Sequence, residues 1–243
     1  MRCASLRYDG VPPVEAPVAS VRFAAGLSGL TRAKINGFRP PFNPPVPDLS
    51  LERRQWAAGR PTVAGLDEAG RGCLAGPVVA AAVVLPPDAR LPGLDDSKTL
   101  TAAAREALVP RIEREALATG VGVCSPAEVD ALNVLWASME AMRRAALALA
   151  VAPDVLLVDG NRTIPDAPWP QEPVVKGDGK SLSIAAASVL AKVSRDAIMT
   201  ALDADFPVYG WARHKGYPTA EHYAALAAHG PSPHHRRSFR LSR

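Results

Sequence analysis

Cysteine, aromatic residues and long apolar runs are all scarce in this chain of 243 residues. The three cysteines, Cys3, Cys73 and Cys124, are widely separated and form no C-x-x-C pair, which argues against a disulfide framework and against a zinc site. No apolar run exceeds eight residues, as at 78–85, and the N-terminus lacks the apolar core of a signal peptide. We therefore expect a cytoplasmic protein without a membrane-spanning segment.

Charge is nearly balanced over the whole chain, at a net +4, but it is unevenly distributed. Residues 1–62 carry nine Lys and Arg against four Asp and Glu, residues 63–204 carry thirteen against eighteen, and residues 205–243 carry six against two. An acidic centre suits a bound cation, and basic flanks suit a polyanion that lies over it. Basic tails that only aid solubility are the alternative.

The beginning of the chain differs from the rest in its proline content and lack of periodicity. Residues 1–58, which include PPFNPPVP at 40–47, are predicted to be a Pro-rich basic arm without stable structure, because they contain too few large apolar residues to offset the entropy of ordering. Within this arm, residues 51–58 are compatible with a short helix. Residues 59–243 are predicted to form the folded domain.

Apolar patterning from residue 62 onward predicts an α/β domain. Strands are expected at 62–67, 78–85, 121–124, 154–159 and 173–178, and helices at 102–118, 127–130, 132–150, 181–202 and 219–228. Two consecutive strands followed by strand–helix alternation predict a mixed sheet covered by helices. The alanine and serine residues of the helix at 181–202 would allow it to lie close against that sheet.

Four carboxylates stand at predicted strand ends and precede glycine-containing turns: Asp67, Glu68, Asp159 and Asp178. Burying adjacent anions without a cation costs on the order of several kcal/mol, so such residues either face water or bind a metal. Oxygen ligands alone favour Mg²⁺ or Mn²⁺. Consecutive residues of an ideal strand point to opposite faces, so Asp67 and Glu68 share a site only if the strand ends or bulges there. A solvated surface turn is the alternative.

The turn after the first two carboxylates contains Arg71 between Gly70 and Gly72, which offers a planar cation to a phosphate or a sugar edge. Its glycine spacing over 70–76 is one residue too long for a dinucleotide-binding fingerprint, and the segment 179–181 lacks the earlier glycine of a P-loop. These mismatches leave metal-assisted phosphodiester chemistry as the best-supported prediction.

The chain from 62 to 240 resembles the ribonuclease HII family, the type 2 ribonucleases H. The resemblance rests on LDEAGRG, GPVVAAAVVLP, DDSKTL, LVDGN, VKGDGKSLSIAAASVLAKVSRD, HKGYPTAEHY and HGPSPHHRRSF. It implies a ribonuclease H-like fold, a five-stranded mixed sheet flanked by helices with a C-terminal helical extension. It also implies a metal-dependent endonuclease that hydrolyses the RNA strand of RNA–DNA hybrids and cuts 5′ of single ribonucleotides embedded in duplex DNA.

The same resemblance assigns the carboxylates a role. In the family, the carboxylates of the LDE, VDG and KGD motifs bind the catalytic metals, and here they correspond to Asp67, Glu68, Asp159 and Asp178. Two Mg²⁺ or Mn²⁺ ions, about 4 Å apart, would activate water and stabilise the leaving 3′-oxygen, which gives a 5′-phosphate and a 3′-hydroxyl.

The resemblance also implies substrate-binding residues. Gly70, Arg71 and Gly72 would engage the backbone around the ribonucleotide and test for its 2′-hydroxyl, and Tyr217 would stack on the sugar of the following deoxynucleotide. Lys98 of the DSK motif is a candidate phosphate contact, as are three other lysines, Lys176, Lys180 and Lys192; a solvated or structural role is the alternative for each.

The expected partners are RNA–DNA hybrids and duplex DNA containing ribonucleotides, with no obligatory protein partner and a monomeric state. Two other functions stay open on the sequence alone. A nucleic-acid-binding protein without catalysis would bind duplexes but ignore Mg²⁺. Another nuclease of the same fold, such as a junction resolvase, would be indifferent to a 2′-hydroxyl.

Overall fold

A five-stranded mixed sheet forms the centre of the fold in the computed structural model, which describes residues 46–94 and 100–242. The strands lie in the order β3-β2-β1-β4-β5. Their bounds are β1 Val63–Ala69, β2 Val78–Val84, β3 Ala118–Cys124, β4 Val155–Asp159 and β5 Gln171–Val174. The first three strands pair antiparallel, whereas β1 with β4 and β4 with β5 pair parallel. The predicted fold class is confirmed.

Helices cover both faces of this sheet. They are α1 Ser50–Ala57, α2 Ala102–Glu115, α3 Pro126–Leu132, α4 Val134–Leu147, α5 Leu182–Asp205, α6 Trp211–His214 and α7 Ala220–His229. Successive residues of β2 alternate between two buried clusters, with Ala80 and Ala82 on the α4 side and Ala81 and Val83 on the side of α2 and α5. No helix among the described residues is both long and apolar enough to cross a membrane.

Both central helices lie unusually close to the strands. A Cβ atom added to Gly65 of β1 would lie 2.4 Å from the backbone nitrogen of Ile184 in α5, and one added to Gly122 of β3 would lie 2.0 Å from the carbonyl oxygen of Ala141 in α4. Only glycine fits at such distances, because the interior is close-packed and main-chain atoms cannot move aside cheaply. The close packing predicted for the Ala- and Ser-rich helix is therefore present.

One predicted strand end is wrong. The strand expected at 173–178 is instead β5, which ends at Val174, and Asp178 lies beyond it in a short 3₁₀ turn at Gly177–Gly179. The chain leaves the strand direction because Lys176 adopts a left-handed conformation, with φ 55° and ψ 49°. Asp178 therefore enters from a turn that precedes α5.

The folded part begins before the predicted boundary at residue 59. Helix α1 places Glu52 in the interior, where the side chain is 1% exposed. Its Oε1 atom accepts hydrogen bonds from Ser181 Oγ and Ser183 Oγ, both at 2.6 Å, and from the Ser183 backbone N–H at 3.0 Å. This carboxylate ties α1 to the first turn of α5. The prediction of a disordered arm stays a prediction for residues 1–45, which lie outside the described residues.

Replacing Glu52 with alanine is expected to lower the free energy of unfolding by about 1–3 kcal/mol, because two buried serine hydroxyls and a backbone N–H would lose their acceptor. Urea denaturation of both proteins measures this difference. The matched control is Glu113→Ala on the exposed face of α2, for which a change within about 0.5 kcal/mol is expected. Equal stabilities of the Glu52 and Glu113 variants would contradict the anchoring role.

Candidate active site

An acidic edge forms where β4 stops beside β1. The parallel pairing of the two strands ends at Leu66 opposite Val158, while β1 continues its antiparallel pairing with β2 as far as Ala69. Asp67 and Glu68 therefore stand on a strand that is paired on one side only. The strand neither ends nor bulges at these two residues, which is the condition predicted for their sharing a site; instead β4 ends at Asp159, so the side of β1 next to β4 is open beyond Leu66.

Asp67 is the most deeply enclosed of the carboxylates on the two strands, at 6% exposure. Its Oδ1 atom accepts from the Glu68 backbone N–H at 2.7 Å, and the hydroxyl of Ser188 in α5 also donates to the carboxylate. Burial, followed by the negative charges of Glu68 and Asp159, nevertheless raises the pKa of Asp67 well above its usual range. The local geometry thus holds anions together against their mutual repulsion.

Two hydrogen bonds orient the neighbouring carboxylates. Arg71 Nη1 lies 3.0 Å from Glu68 Oε1, while burial raises the pKa of Glu68 and the Arg71 charge opposes that rise. On β4, Asp159 Oδ1 accepts from the Gly177 backbone N–H at 2.6 Å. This bond ties β4 to the turn that carries Asp178, whose side chain is only 3% exposed.

The donor set suits a hard divalent cation. Asp67, Glu68 and Asp159 line one cleft of about 340 Å³. Within residues 46–94 and 100–242, no group of three or more His, Cys, Asp or Glu side chains is arranged so that it could hold a metal ion by itself. Mg²⁺ is ordinarily bound by one or two carboxylates together with substrate phosphates and water, so an open acidic cleft fits this ion better than a closed cage would. A bound cation would also offset the repulsion that raises the pKa of Asp67.

The Gly-Arg-Gly turn borders this cleft and is held from behind by a buried arginine. Gly70 has φ +98°, and a Cβ atom there would lie 2.1 Å from Arg195 Nε, whereas a Cβ atom on Gly72 would meet nothing within 4 Å. Arg195, fully buried in α5, donates to the carbonyl oxygens of Pro77, Ala75 and Lys215 at 2.9–3.0 Å. One side chain therefore joins the segment after the Gly-Arg-Gly turn to the segment that carries Tyr217.

A second buried arginine supports the same turn from the C-terminal segment. Arg236 is 0% exposed and donates from Nε to the carbonyl oxygen of Gly76 and from Nη1 to that of Arg71, both at 3.0 Å. Neither arginine was assigned a role from the sequence. Their carbonyl partners, which lie far away in sequence, become visible only in the folded chain.

Tyr217 lines the same cleft as the carboxylates and is 40% exposed. Its hydroxyl and the Cys73 thiol form a hydrogen bond, and the Lys192 ammonium lies 5.4 Å from the centre of its ring. Lys192 also pairs with Asp196 at 2.7 Å, one turn along α5. Lys98 lies outside the described residues, so its predicted phosphate contact stays a prediction.

A mixed five-stranded sheet with carboxylates at the β1–β4 edge defines a protein of the ribonuclease H-like fold. The family model for ribonuclease HII matches residues 64–242. Ribonuclease HII of Salinibacter ruber is 57% identical over 198 residues, which cover 80% of this chain and 99% of that one. The chain belongs to the ribonuclease HII family.

Solved structures agree with this assignment. The ribonuclease H2 of Pyrococcus horikoshii is 27% identical, with a TM-score of 0.62 over 74% of this chain and 95% of that one. The ribonuclease HII of Archaeoglobus fulgidus, solved in a complex with PCNA, is 28% identical, with a TM-score of 0.64 over 75% and 96%. The protein is a metal-dependent endoribonuclease that hydrolyses the RNA strand of RNA–DNA hybrids.

Replacing each glycine of the Gly-Arg-Gly turn with alanine is expected to change the melting temperature by different amounts. Gly70→Ala should lower the melting temperature, because its Cβ atom would overlap the Arg195 side chain at a strained positive φ. Gly72→Ala should leave the melting temperature within about 2 °C of the parent, since its Cβ atom has free space. Differential scanning fluorimetry of the three proteins tests this. A larger loss for Gly72→Ala than for Gly70→Ala would contradict the described packing.

Proposed function

We propose that this endoribonuclease also cuts 5′ of a single ribonucleotide embedded in duplex DNA. The observation that carries the proposal is the composition of one cleft, in which Asp67, Glu68 and Asp159 face the same space as Arg71 and Tyr217. The acidic groups for metal-assisted hydrolysis are thus adjacent to the groups for nucleotide recognition. A substrate phosphate at the carboxylates would therefore lie beside a sugar that contacts Arg71 and Tyr217.

Asp67, Glu68, Asp159 and Asp178 are the proposed metal ligands. Two Mg²⁺ or Mn²⁺ ions held there would supply an activated water and stabilisation of the leaving 3′-oxygen. The protein's part is to fix the ligands beforehand: Ser188 and a backbone amide orient Asp67, and the Gly177 amide orients Asp159. No side-chain nucleophile is required.

Recognition of the ribonucleotide is assigned to the Gly-Arg-Gly turn and Tyr217. The Arg71 guanidinium is about half exposed, and its ion pair with Glu68 orients it. Its other N–H groups would be able to donate to a phosphate or a 2′-hydroxyl. Gly72 has open space where a side chain would otherwise stand, which allows the substrate backbone to approach. The half-exposed Tyr217 ring offers a flat surface for the next sugar. The proposed partners are duplexes, with the protein acting as a monomer.

Cleavage of an end-labelled DNA duplex that contains one ribonucleotide tests this function. We expect a single cut 5′ of the ribonucleotide in Mg²⁺ or Mn²⁺, no cut in EDTA and no cut of the matched all-DNA duplex. Asp67→Asn should reduce the rate on the order of 10³-fold or more, because a charged ligand becomes neutral. Its stability in EDTA should not fall, since Asp67 is buried beside like charges. Equal cutting of the all-DNA duplex would indicate a general nuclease instead.

Tyr217→Ala is expected to reduce cleavage at the single ribonucleotide by about tenfold through the loss of stacking, and to reduce hydrolysis of a uniform RNA–DNA hybrid much less. Tyr217→Phe is the matched control, because it keeps the ring and removes only the hydroxyl that forms a hydrogen bond with Cys73. Steady-state kinetics on both substrates give the comparison. If alanine and phenylalanine behaved alike on both duplexes, the ring would have no stacking role.

A further inference from the structure

Hydrogen bonds to main-chain groups hold the segment around Tyr217 in place, among them one from the Tyr217 N–H to the His214 carbonyl at 2.9 Å. The Lys215 carbonyl accepts from Arg195, and the Gly216 carbonyl accepts from the Leu74 backbone N–H at 2.8 Å. The Gly216 N–H donates to His214 Nδ1 at 3.3 Å. The Tyr217 carbonyl accepts from the Thr219 backbone N–H at 2.8 Å and also lies 3.0 Å from His222 Nδ1 in α7. The last of these bonds depends on which ring nitrogen of His222 carries the proton.

The tautomer of His235, the ring next to His222, follows from a backbone contact within the C-terminal segment. The Ser232 backbone N–H lies 2.9 Å from His235 Nδ1, and because a backbone N–H only donates, this nitrogen is an acceptor. A neutral His235 ring therefore carries its proton on Nε2. That atom lies 3.0 Å from His222 Nε2, so His235 donates and His222 accepts.

Trp211 leads independently to the same assignment for His222. Its indole Nε1–H, which only donates, lies 3.2 Å from His222 Nε2. With two donors directed at Nε2, the neutral His222 ring carries its proton on Nδ1 and donates it to the Tyr217 carbonyl. The result is a directed series of hydrogen bonds from the Ser232 amide through His235 and His222 to Tyr217.

Both rings lie in surroundings that favour this neutral state. His222 and His235 are 0% and 1% exposed, and the ring of His214 stacks on His222 with 4.6 Å between centres. Burial lowers the pKa of His222, and burial together with the His222 charge lowers the pKa of His235 to about 4. A proton added to His222 Nε2 would face two other donors, so the neutral ring is the one that fits.

We propose that His222 is a positioning residue for ribonucleotide recognition, which fixes the Tyr217 main chain through Nδ1–H while His235 and Trp211 fix the His222 ring. This inference rests on the proposed stacking role of Tyr217. His222 does not touch substrate in this scheme; it holds the backbone from which the Tyr217 ring projects, and the Cys73 thiol holds the other end of that side chain. Misplacing the ring by a fraction of an ångström would weaken stacking without disturbing the carboxylates.

Two variants separate positioning from packing, because each retains a polar group at the position of only one of the two His222 ring nitrogens. Asparagine places an amide at the position of Nδ1 and keeps a donor for the Tyr217 carbonyl. Glutamine places its amide oxygen at the position of Nε2 and keeps the acceptor for Trp211 and His235, but loses the donor to Tyr217. Each variant leaves buried polar groups without a partner, so similar losses in melting temperature are expected.

The readout is the ratio of kcat/KM for a duplex with one ribonucleotide to that for a uniform RNA–DNA hybrid. We expect His222→Gln to lower this ratio about tenfold, equivalent to roughly 1.4 kcal/mol, and His222→Asn to keep it within about twofold of the parent. Adding His222→Gln to Tyr217→Ala should lower the ratio no further, since both act on the same contact. A structural role alone would lower the ratio equally in the two His222 variants and overturn the inference.

Imidazole ¹⁵N spectra of the parent protein near neutral pH give a readout that does not depend on cleavage. The expected signature is a proton on Nδ1 of His222 and on Nε2 of His235, and the opposite tautomer of His222 would overturn the proposal.

The kinetic outcomes also distinguish the positioning role of His222 from the proposed stacking role of Tyr217. If Tyr217→Ala changes the ratio and His222→Gln does not, the positioning role fails and the proposed recognition stands; if Tyr217→Ala changes nothing, both fail.

Discussion

Repulsion among buried carboxylates is the constraint on which the rest of the structure depends. Asp67 lies enclosed beside the charges of Glu68 and Asp159, and an isolated chain would separate such groups or protonate them. The fold prevents separation by building them into paired strands. It also packs α5 against β1 so closely that only glycine fits at position 65, which brings the Ser188 hydroxyl to Asp67. The rigid fold thus keeps the carboxylates together, and a bound cation would offset their mutual repulsion.

The proposed recognition elements need a different kind of support, because they project from loops. The Gly-Arg-Gly turn and the Tyr217 segment are joined through Arg195 and Arg236, whose guanidinium groups donate to five main-chain carbonyl oxygens. A guanidinium offers up to five donors in a fixed plane, so two side chains are enough to hold several turns of chain. Their positive charge, buried behind the Gly-Arg-Gly turn, would also favour a phosphate bound at the proposed recognition surface.

The sequence predicted those features that rest on local patterning and left out those that rest on distant contacts. Apolar runs placed β1 and β2 correctly, and the strand-end acids marked the edge where Asp67, Glu68 and Asp159 line one cleft. The strand predicted to end at Asp178 was wrong, since the apolar residues before it gave no sign of the left-handed turn at Lys176. Helix α1 was included in the arm because the segment contains few large apolar residues; its buried residues, Glu52 and Gln55, are polar, and the serine partners of Glu52 lie about 130 positions away in sequence.

The end of the chain supports the proposed recognition elements from residues that lie outside the cleft. His235 lies in a tail without regular helix or strand, yet its position opposite Ala75 places this tail against the segment that follows the Gly-Arg-Gly turn. From there the tail supports two recognition elements at once, Arg71 through the Arg236 guanidinium and Tyr217 through His222. The carboxylates, by contrast, are held by β1, β4, α5 and the turn before it. The proposed metal site and the proposed recognition elements thus share α5, through Ser188 and Arg195, but only the recognition elements are also held by the tail.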